Sequence, residues 1–223
     1  MSHTVDFLEE SRANSFEPLD VFRALLSSIL DLNGQYTELL DCGCGTGFFT
    51  RQYAQIPGVK ATGIDIDAKL LSAARKIALD NNLSIKYELA DICKLPYQDN
   101  SFDVVASDIM LEVFDDKSGP IQEMIRVCKP NGRVLIIEPN YQSYVFFDPR
   151  KSETENMQII WEENQLHGFG AGVKIPNEMM RAGLTEIKLV PWFWGKLHNI
   201  GGTLVLRGID VYIVCGKKST GTR

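Results

Sequence analysis

No stretch of the chain approaches the roughly 18 consecutive apolar residues that a helical membrane span needs. A basic excess is missing too. Lysines and arginines number 23 against 29 acids, a net charge of −6. A general nucleic-acid binder needs a basic footprint to neutralise phosphates, so that class is disfavoured. Cysteine is sparse: Cys42, Cys44, Cys93, Cys128 and Cys215 are scattered and odd in number. No second Cys/His pair stands at metal-ligand spacing from Cys42 and Cys44, so neither a disulfide framework nor a zinc site is indicated. Reduced thiols in a cytoplasmic protein are the simplest expectation. Residues Met1 to Asp20 lack the apolar core of a signal peptide. Internal repeats and low-complexity segments are missing as well.

What remains is an ordinary globular chain of 223 residues, 44% hydrophobic and 23% charged. That length suits a single domain with a substantial core. Two periodicities alternate along it. Val21, Phe22, Leu25, Leu26, Ile29 and Leu30 repeat at helical spacing, and Asn33-Gly34 ends that helix. A short apolar strand, Glu38 to Cys42, runs into glycines, and a helix follows from Phe48 to Ile56. Val59 to Ile64 is a second strand. Asp67 is placed to cap a helix whose buried stripe is Leu70, Leu71, Ala74, Ile77 and Ala78. Further strands are expected at Ile85–Leu89, Phe102–Ser107, Arg133–Ile137, Ile187–Val190 and Ile209–Cys215, with a helix after Pro120 and a turn at Lys129–Gly132. Strands and helices in strict alternation predict a parallel sheet with helices on both faces.

The most informative segment is Leu39-Leu40-Asp41-Cys42-Gly43-Cys44-Gly45-Thr46-Gly47. Glycines between a strand and a helix let backbone approach a ligand closely. Asp65 ends the next strand, where a carboxylate can accept from both hydroxyls of a ribose. The run is G-x-G-x-G with Phe48 in the sixth position, not the dinucleotide fingerprint G-x-G-x-x-G. Asp41, two residues before the first glycine, would repel a pyrophosphate but suits an ammonium group. A nucleoside with a cationic amino-acid tail fits this pattern.

The segment resembles motif I of the class I, Rossmann-like S-adenosylmethionine-dependent methyltransferases. It is most similar to the small-molecule group that includes the ubiquinone/menaquinone-biosynthesis enzymes. Gly63-Ile64-Asp65-Ile66-Asp67, Ala90-Asp91-Ile92 with Leu95-Pro96-Tyr97, Ser101-Phe102-Asp103-Val104-Val105, and Ile125 to Arg133 resemble the later motifs, in order. The resemblance covers about residues 37–139. It implies a doubly wound, mostly parallel seven-stranded α/β sheet with an antiparallel last strand. On this reading, 1–36 is a helical lead-in and 37–140 the cofactor-binding half. Residues 141–202 form a partly helical cover with one helix and one strand, and 203–223 hold the last strand and tail.

The resemblance also implies roles. Asp41 and the backbone of Gly43, Cys44 and Gly45 would hold the methionine portion of S-adenosylmethionine. Asp65 would take the ribose, Ile66 would pack on adenine, and Asp91 with Ile92 would meet the adenine edges. Ser107 would offer backbone near the amino group, and Arg12 could reach the methionine carboxylate. No metal is required. The acceptor would be a small organic molecule rather than a nucleic acid. The Asn/Asp-Pro-Pro-aromatic run of amino methyltransferases is replaced here by Ser107-Asp108-Ile109-Met110. Glu112, His167 and Tyr141 are the candidate proton acceptors or orienting groups.

Nine of the 21 aromatics and all three tryptophans fall between Tyr141 and Gly202. Pro191-Trp192-Phe193-Trp194 and Tyr144-Val145-Phe146-Phe147 read as secondary core, as a contact between two copies, or as the wall of an apolar acceptor pocket. A cofactor-binding scaffold without turnover and a nicotinamide oxidoreductase are the rival functions.

Overall fold

The computed structural model describes residues 2–159, 171–200 and 203–220. Two helices, α1 (Ser2–Ser15) and α2 (Leu19–Ile29), lead into β1 (Thr37–Cys42), α3 (Phe48–Ala54), β2 (Val59–Asp65), α4 (Ala68–Asp80), β3 (Lys86–Leu89) and β4 (Phe102–Asp108). A 3-10 turn (Leu111–Val113) and α5 (Ser118–Val127) connect to β5 (Cys128–Phe147). Then come α6 (Ala171–Arg181), β6 (Leu184–Ile200) and β7 (Thr203–Lys218). Among the described residues no helix is long and apolar enough to cross a membrane.

The seven strands lie in the order β3-β2-β1-β4-β5-β7-β6. β1 to β5 pair in parallel, and β7 runs antiparallel to both β5 and β6. Both faces are covered, so the central strands are apolar on both sides. Leu39, Val104, Ala106, Leu135 and Ile137 face one core with Phe22, Leu26, Phe48 and Phe49 of the α2–α3 side. Leu40, Val105, Val134 and Ile136 face the other, with Ile121 and Met124 of α5 and Ile175 and Met179 of α6. Alternate residues of one strand thus enter opposite cores, as period two requires. Phe16 is fully buried between the leading helices, with ring centroids 4.7 Å from Phe22 and 5.0 Å from Phe49. Burying each such side chain contributes about 1.5–3 kcal/mol. Asp67 caps α4 as expected, accepting from the Lys69 and Leu70 amides at 2.7 and 3.4 Å. The five cysteines are free thiols.

Three features differ from the sequence reading. Within the helical lead-in expected over 1–36, residues 2–15 form a separate first helix that no apolar stripe marks; Glu9, Arg12 and, just beyond it, Phe16 hold it. The turn expected at Lys129–Gly132 lies inside β5, where the register jumps from Phe102↔Cys128 to Val104↔Arg133. The cover holds more structure than one helix and one strand. β5 continues to Phe147, 153–159 is helical, and β6 is 17 residues long. Antiparallel pairing of β7 with β5 and with β6 reaches from Arg133↔Lys217 to Phe147↔Leu206 and Ile200↔Thr203. A hairpin satisfies its backbone groups locally, so these strands extend past the parallel sheet.

Candidate active site

The chain reverses direction across the sheet between β1 and β4, which opens a crevice at the carboxyl ends of those strands. Acids stand at or next to the carboxyl ends of three surrounding strands, Asp41 on β1, Asp65 on β2 and Asp108 on β4, and Glu138 lies within β5, one residue beyond the Ile137 that registers with Asp108.

The glycine turn is pinned to β2. The amides of Gly43 and Cys44 both donate to the Ile64 carbonyl at 2.8 Å. The Gly45 amide donates to Asp65 Oδ2 at 2.8 Å, and the Asp67 amide donates to Oδ1 at 2.8 Å. Asp65 therefore shapes the turn that follows β1. A carboxylate has about four lone-pair sites, so two bonds leave acceptor capacity for hydroxyls. Gly43, Gly45 and Gly47 all have positive φ, at 75°, 55° and 77°. A Cβ on Gly43 would strike Met110, and one on Gly47 would lie 2.3 Å from the Tyr87 hydroxyl oxygen. A Cβ on Gly45 would meet nothing within 4 Å. Gly45 thus borders open space at the turn, which is room for a ligand.

Asp41 is 1% exposed. Thr50 of α3 donates to its Oδ2, while Oδ1 is buried and has no hydrogen-bond partner in the protein. Burial pushes its carboxyl up to about 7; the Thr50 hydrogen bond opposes this, the Asp65 charge adds to it, and Arg12 opposes it. An orphaned buried acceptor is costly unless a donor arrives, and a cationic ligand supplies one. Arg12 comes in from α1, its guanidinium carbon 5.4 Å from the Phe49 ring centroid. Burial lowers its pKa, and Asp108, Glu9, Asp41 and Glu112 act against that shift. Glu9 of the same helix pairs with Arg51, which in turn donates to the Thr46 carbonyl at 2.8 Å. The leading helix is thereby fastened to the glycine turn.

The other expected residues fall as follows. Ile66 is 73% exposed just beyond β2, an apolar side chain free to cover a ring. Asp91 is exposed and accepts from the Cys93 amide at 2.8 Å; Ile92 beside it is buried. Ser107 is fully buried and its hydroxyl has no partner. The Cys44 side chain packs toward Tyr87 and Gly63, so its backbone faces the turn, and burial pushes its thiol far up. Glu112 is exposed in the 3-10 turn after β4. Tyr141 continues β5, but its side chain is not among those described, and His167 lies outside the described residues.

Two acids passed over in the sequence belong to the site. Asp108 is 3% exposed; fully buried Tyr53 donates to its Oδ2 at 2.8 Å, and its Oδ1 is buried without a partner. Glu138 is fully buried and accepts from the Met110 and Leu111 amides at 3.0 and 2.6 Å, holding the turn that carries Glu112. Burial raises Glu138 to about 7. The signal for both was an acid closing an apolar run: Ser107-Asp108 and Ile137-Glu138 repeat the pattern of Leu40-Asp41 and Ile64-Asp65.

Strand order, glycine turn and acid-ended strands together define the fold of the Rossmann-like methyltransferases. The family profile described as "Methyltransferase domain" matches residues 34–187, and the chain belongs to that family. The ubiquinone/menaquinone biosynthesis C-methyltransferase UbiE of Bdellovibrio bacteriovorus is 36% identical over 102 residues, 45% of this chain and 43% of that protein. The demethylmenaquinone methyltransferase of Chlorobaculum parvum is 33% identical over 129 residues, 58% of this chain and 49% of its own. The matched region thus spans less than half the length of these relatives. Among solved structures, a SAM-dependent methyltransferase from Aquifex aeolicus superposes with TM-score 0.61 at 17% identity, covering 94% of this chain and 97% of that one. A Haemonchus contortus phosphoethanolamine N-methyltransferase, solved with S-adenosylhomocysteine, gives 0.60 at 17%, covering 88% and 52%. At such identities the likeness shows the fold.

Proposed function

We propose that the chain is an S-adenosylmethionine-dependent methyltransferase acting on a small organic acceptor, apolar or aromatic, in the cytoplasm. The observation that carries this reading is Asp41, a desolvated carboxyl group with an unpartnered oxygen, on the strand that leads into a turn where Gly45 borders open space. That combination suits the ammonium of an amino-acid tail and repels a pyrophosphate. The names of the curated relatives, a ubiquinone/menaquinone biosynthesis C-methyltransferase and a demethylmenaquinone methyltransferase, support the acceptor class.

In this reading Asp41 and the backbone of Gly43, Cys44 and Gly45 bind the methionine end, with Ser107 backbone alongside and Arg12 at the carboxylate. Asp65 binds the ribose, Ile66 covers the adenine, and Asp91 and Ile92 meet its edges. Bound S-adenosylmethionine supplies an activated methyl group on a sulfonium leaving group. The chain's contribution is then alignment for an in-line displacement, exclusion of water and, for a protic acceptor, removal of one proton. We assign that acceptor side to Glu112, Tyr141 and His167. Glu112 is the one with a described position, on the turn that Glu138 holds.

Calorimetric titration with S-adenosylhomocysteine and with NADH tests the cofactor. Binding of the former alone is expected; tight binding of NADH alone would overturn the reading. Transfer of labelled methyl from S-adenosylmethionine to a panel of quinols, phenols and amines tests the acceptor. Cofactor binding with no transfer to any of them would favour a scaffold instead.

A further inference from the structure

Asp108 has no role in the assignment above, yet the structure treats it as it treats Asp41. The two acids sit on adjacent strands and the same sheet face, since Asp41 registers with Ala106, two residues before Asp108. Each has one oxygen held by a hydroxyl of α3, Thr50 for Asp41 and Tyr53 for Asp108. Each has its other oxygen, Oδ1, buried without a partner. Tyr53 is a core side chain, fully buried, whose hydroxyl is spent on Asp108. A structural carboxylate would be satisfied within the fold; this one is anchored on one edge and left open on the other.

We propose that Asp108 is a second anionic ligand of the seat for the cofactor's methionine end, and that through it the site favours the sulfonium cofactor over the thioether product. The inference rests on the methyltransferase reading. Its basis is charge. Of the buried charges here, Glu138 is held by the Met110 and Leu111 amides and Arg51 pairs with Glu9, which leaves Asp41, Asp108 and Arg12 for the seat; these sum to −1 when both acids are ionised. S-adenosylmethionine carries an ammonium, a carboxylate and a sulfonium and sums to +1, so the filled seat is neutral. S-adenosylhomocysteine has lost the sulfonium charge and leaves the seat at −1. Without Asp108 the matching would invert, since Asp41 and Arg12 already cancel. In a desolvated site an unbalanced charge is expensive, and the balanced ligand is preferred.

Among the described residues, the largest charges acting on Asp108 include no cation besides Arg12. From α1 come Arg12 and Glu9, from α3 Thr50, Arg51 and Tyr53, from β1 Cys42, from β2 Asp65, from the 3-10 turn Glu112 and from β5 Glu138. Arg51 is already engaged by Glu9 and the Thr46 carbonyl. Burial first, then the Asp41 charge, pushes the Asp108 carboxyl well above its ordinary range; Tyr53 and Arg12 oppose, and Glu138 adds. A cationic ligand beside the pair acts against that shift and favours the ionised acids.

The test is calorimetric binding of S-adenosylmethionine and of S-adenosylhomocysteine, without acceptor, to the wild-type chain and to D108N. Asn is nearly isosteric and still accepts from Tyr53. Affinity for S-adenosylmethionine should fall about tenfold while that for S-adenosylhomocysteine changes much less, the effect expected of one charge several ångströms away. Y53F should shift the ratio the same way by a smaller factor. In buffers of different ionisation enthalpy, the wild type should release more protons on binding S-adenosylmethionine than on binding S-adenosylhomocysteine, and D108N should lose that difference. Equal losses for both ligands, or none, would overturn the proposal while leaving the methyltransferase reading standing. Failure of the wild type to bind either ligand would overturn that reading itself.

Discussion

Asp65 Oδ2 accepts a hydrogen bond from the Gly45 amide at 2.8 Å, joining the end of β2 to a turn 20 residues earlier. One carboxylate thus ties the glycine turn to β2 and, on the proposed reading, keeps lone pairs for the ribose hydroxyls. A substitution at Asp65 therefore acts on the turn and on the ligand together.

Replacing Asp65 by alanine removes the turn's anchor and the proposed ribose ligand together. Affinity for S-adenosylhomocysteine should fall by about a hundredfold, from two or more charge-assisted hydrogen bonds. D65N keeps an acceptor for the Gly45 amide and should lose less. Calorimetry on the three proteins gives the order, and equal affinity in all three would remove Asp65 from the site.

Gly45 and Gly47 separate ligand space from folding space. Both have φ values that side chains rarely adopt, which costs an alanine about 1 kcal/mol. At Gly45 the added Cβ enters open space, so G45A should fold nearly normally and bind S-adenosylhomocysteine at least ~10-fold more weakly. At Gly47 it would strike the Tyr87 ring, itself packed against α4. G47A should therefore lose about 2–4 kcal/mol of stability. Urea unfolding and ligand titration of the pair should give opposite rankings; the same ranking in both assays would contradict the assignment of open space to the ligand.

The strand and helix periods, the Asp67 cap and the Gly43–Gly47 turn were readable because their causes are local: spacing, conformational freedom and a nearby donor. Asp41 and Asp65 were readable because they adjoin the glycines or close the strand that follows. Asp108, Glu138 and Tyr53 were not, because their significance lies in what faces them. Tyr53 and Asp108 are 55 residues apart, and only parallel pairing of β1 and β4 with α3 above brings them together. Helix α1 was legible only as part of a helical lead-in, because no apolar stripe marks it and its described contacts, the Glu9–Arg51 pair and Arg12 over Phe49, join it to residues far along the chain. The length of β5 and β6 was not legible because both are extended by antiparallel pairing with β7, which for β5 is a partner far along the chain.

Glu138 gives a pH signature. Its carboxyl titrates near 4.5 when unfolded and near 7 when folded, raised by burial and by Glu112 against the two backbone hydrogen bonds. Between those values the folded chain holds a proton that the unfolded chain has released. Its contribution therefore favours folding below about 4.5 and is lost as pH rises through 7, on the order of 1–3 kcal/mol. Asp41 has the same sign, and paired acids such as Asp31 have the opposite one, so the informative quantity is a difference. E138Q cannot ionise and can still accept from the Met110 and Leu111 amides. Relative to wild type it should gain stability between pH 5 and pH 8 in urea unfolding. Parallel pH profiles would show that Glu138 does not titrate in this window.

Trp192 decides between two readings of the aromatic cover. It is half-buried on β6, with its ring centroid 5.5 Å from that of Phe22 in an edge-to-face contact, and it packs on the core formed by Phe16, Phe22 and Phe49. This is a tie between the outermost strand and α2, across the face on which Asp41 and Asp108 lie. Trp192 is therefore placed as core. Replacing it by alanine should cost about 2–4 kcal/mol, with the aromatic contact contributing about 0.5–1.5 kcal/mol of that. W192L, which keeps much of the apolar volume, should recover part of the loss. Neither variant should change acceptor KM once the assay temperature is kept below the lowered unfolding transition. A raised KM for acceptor at unchanged stability would return Trp192 to the pocket wall.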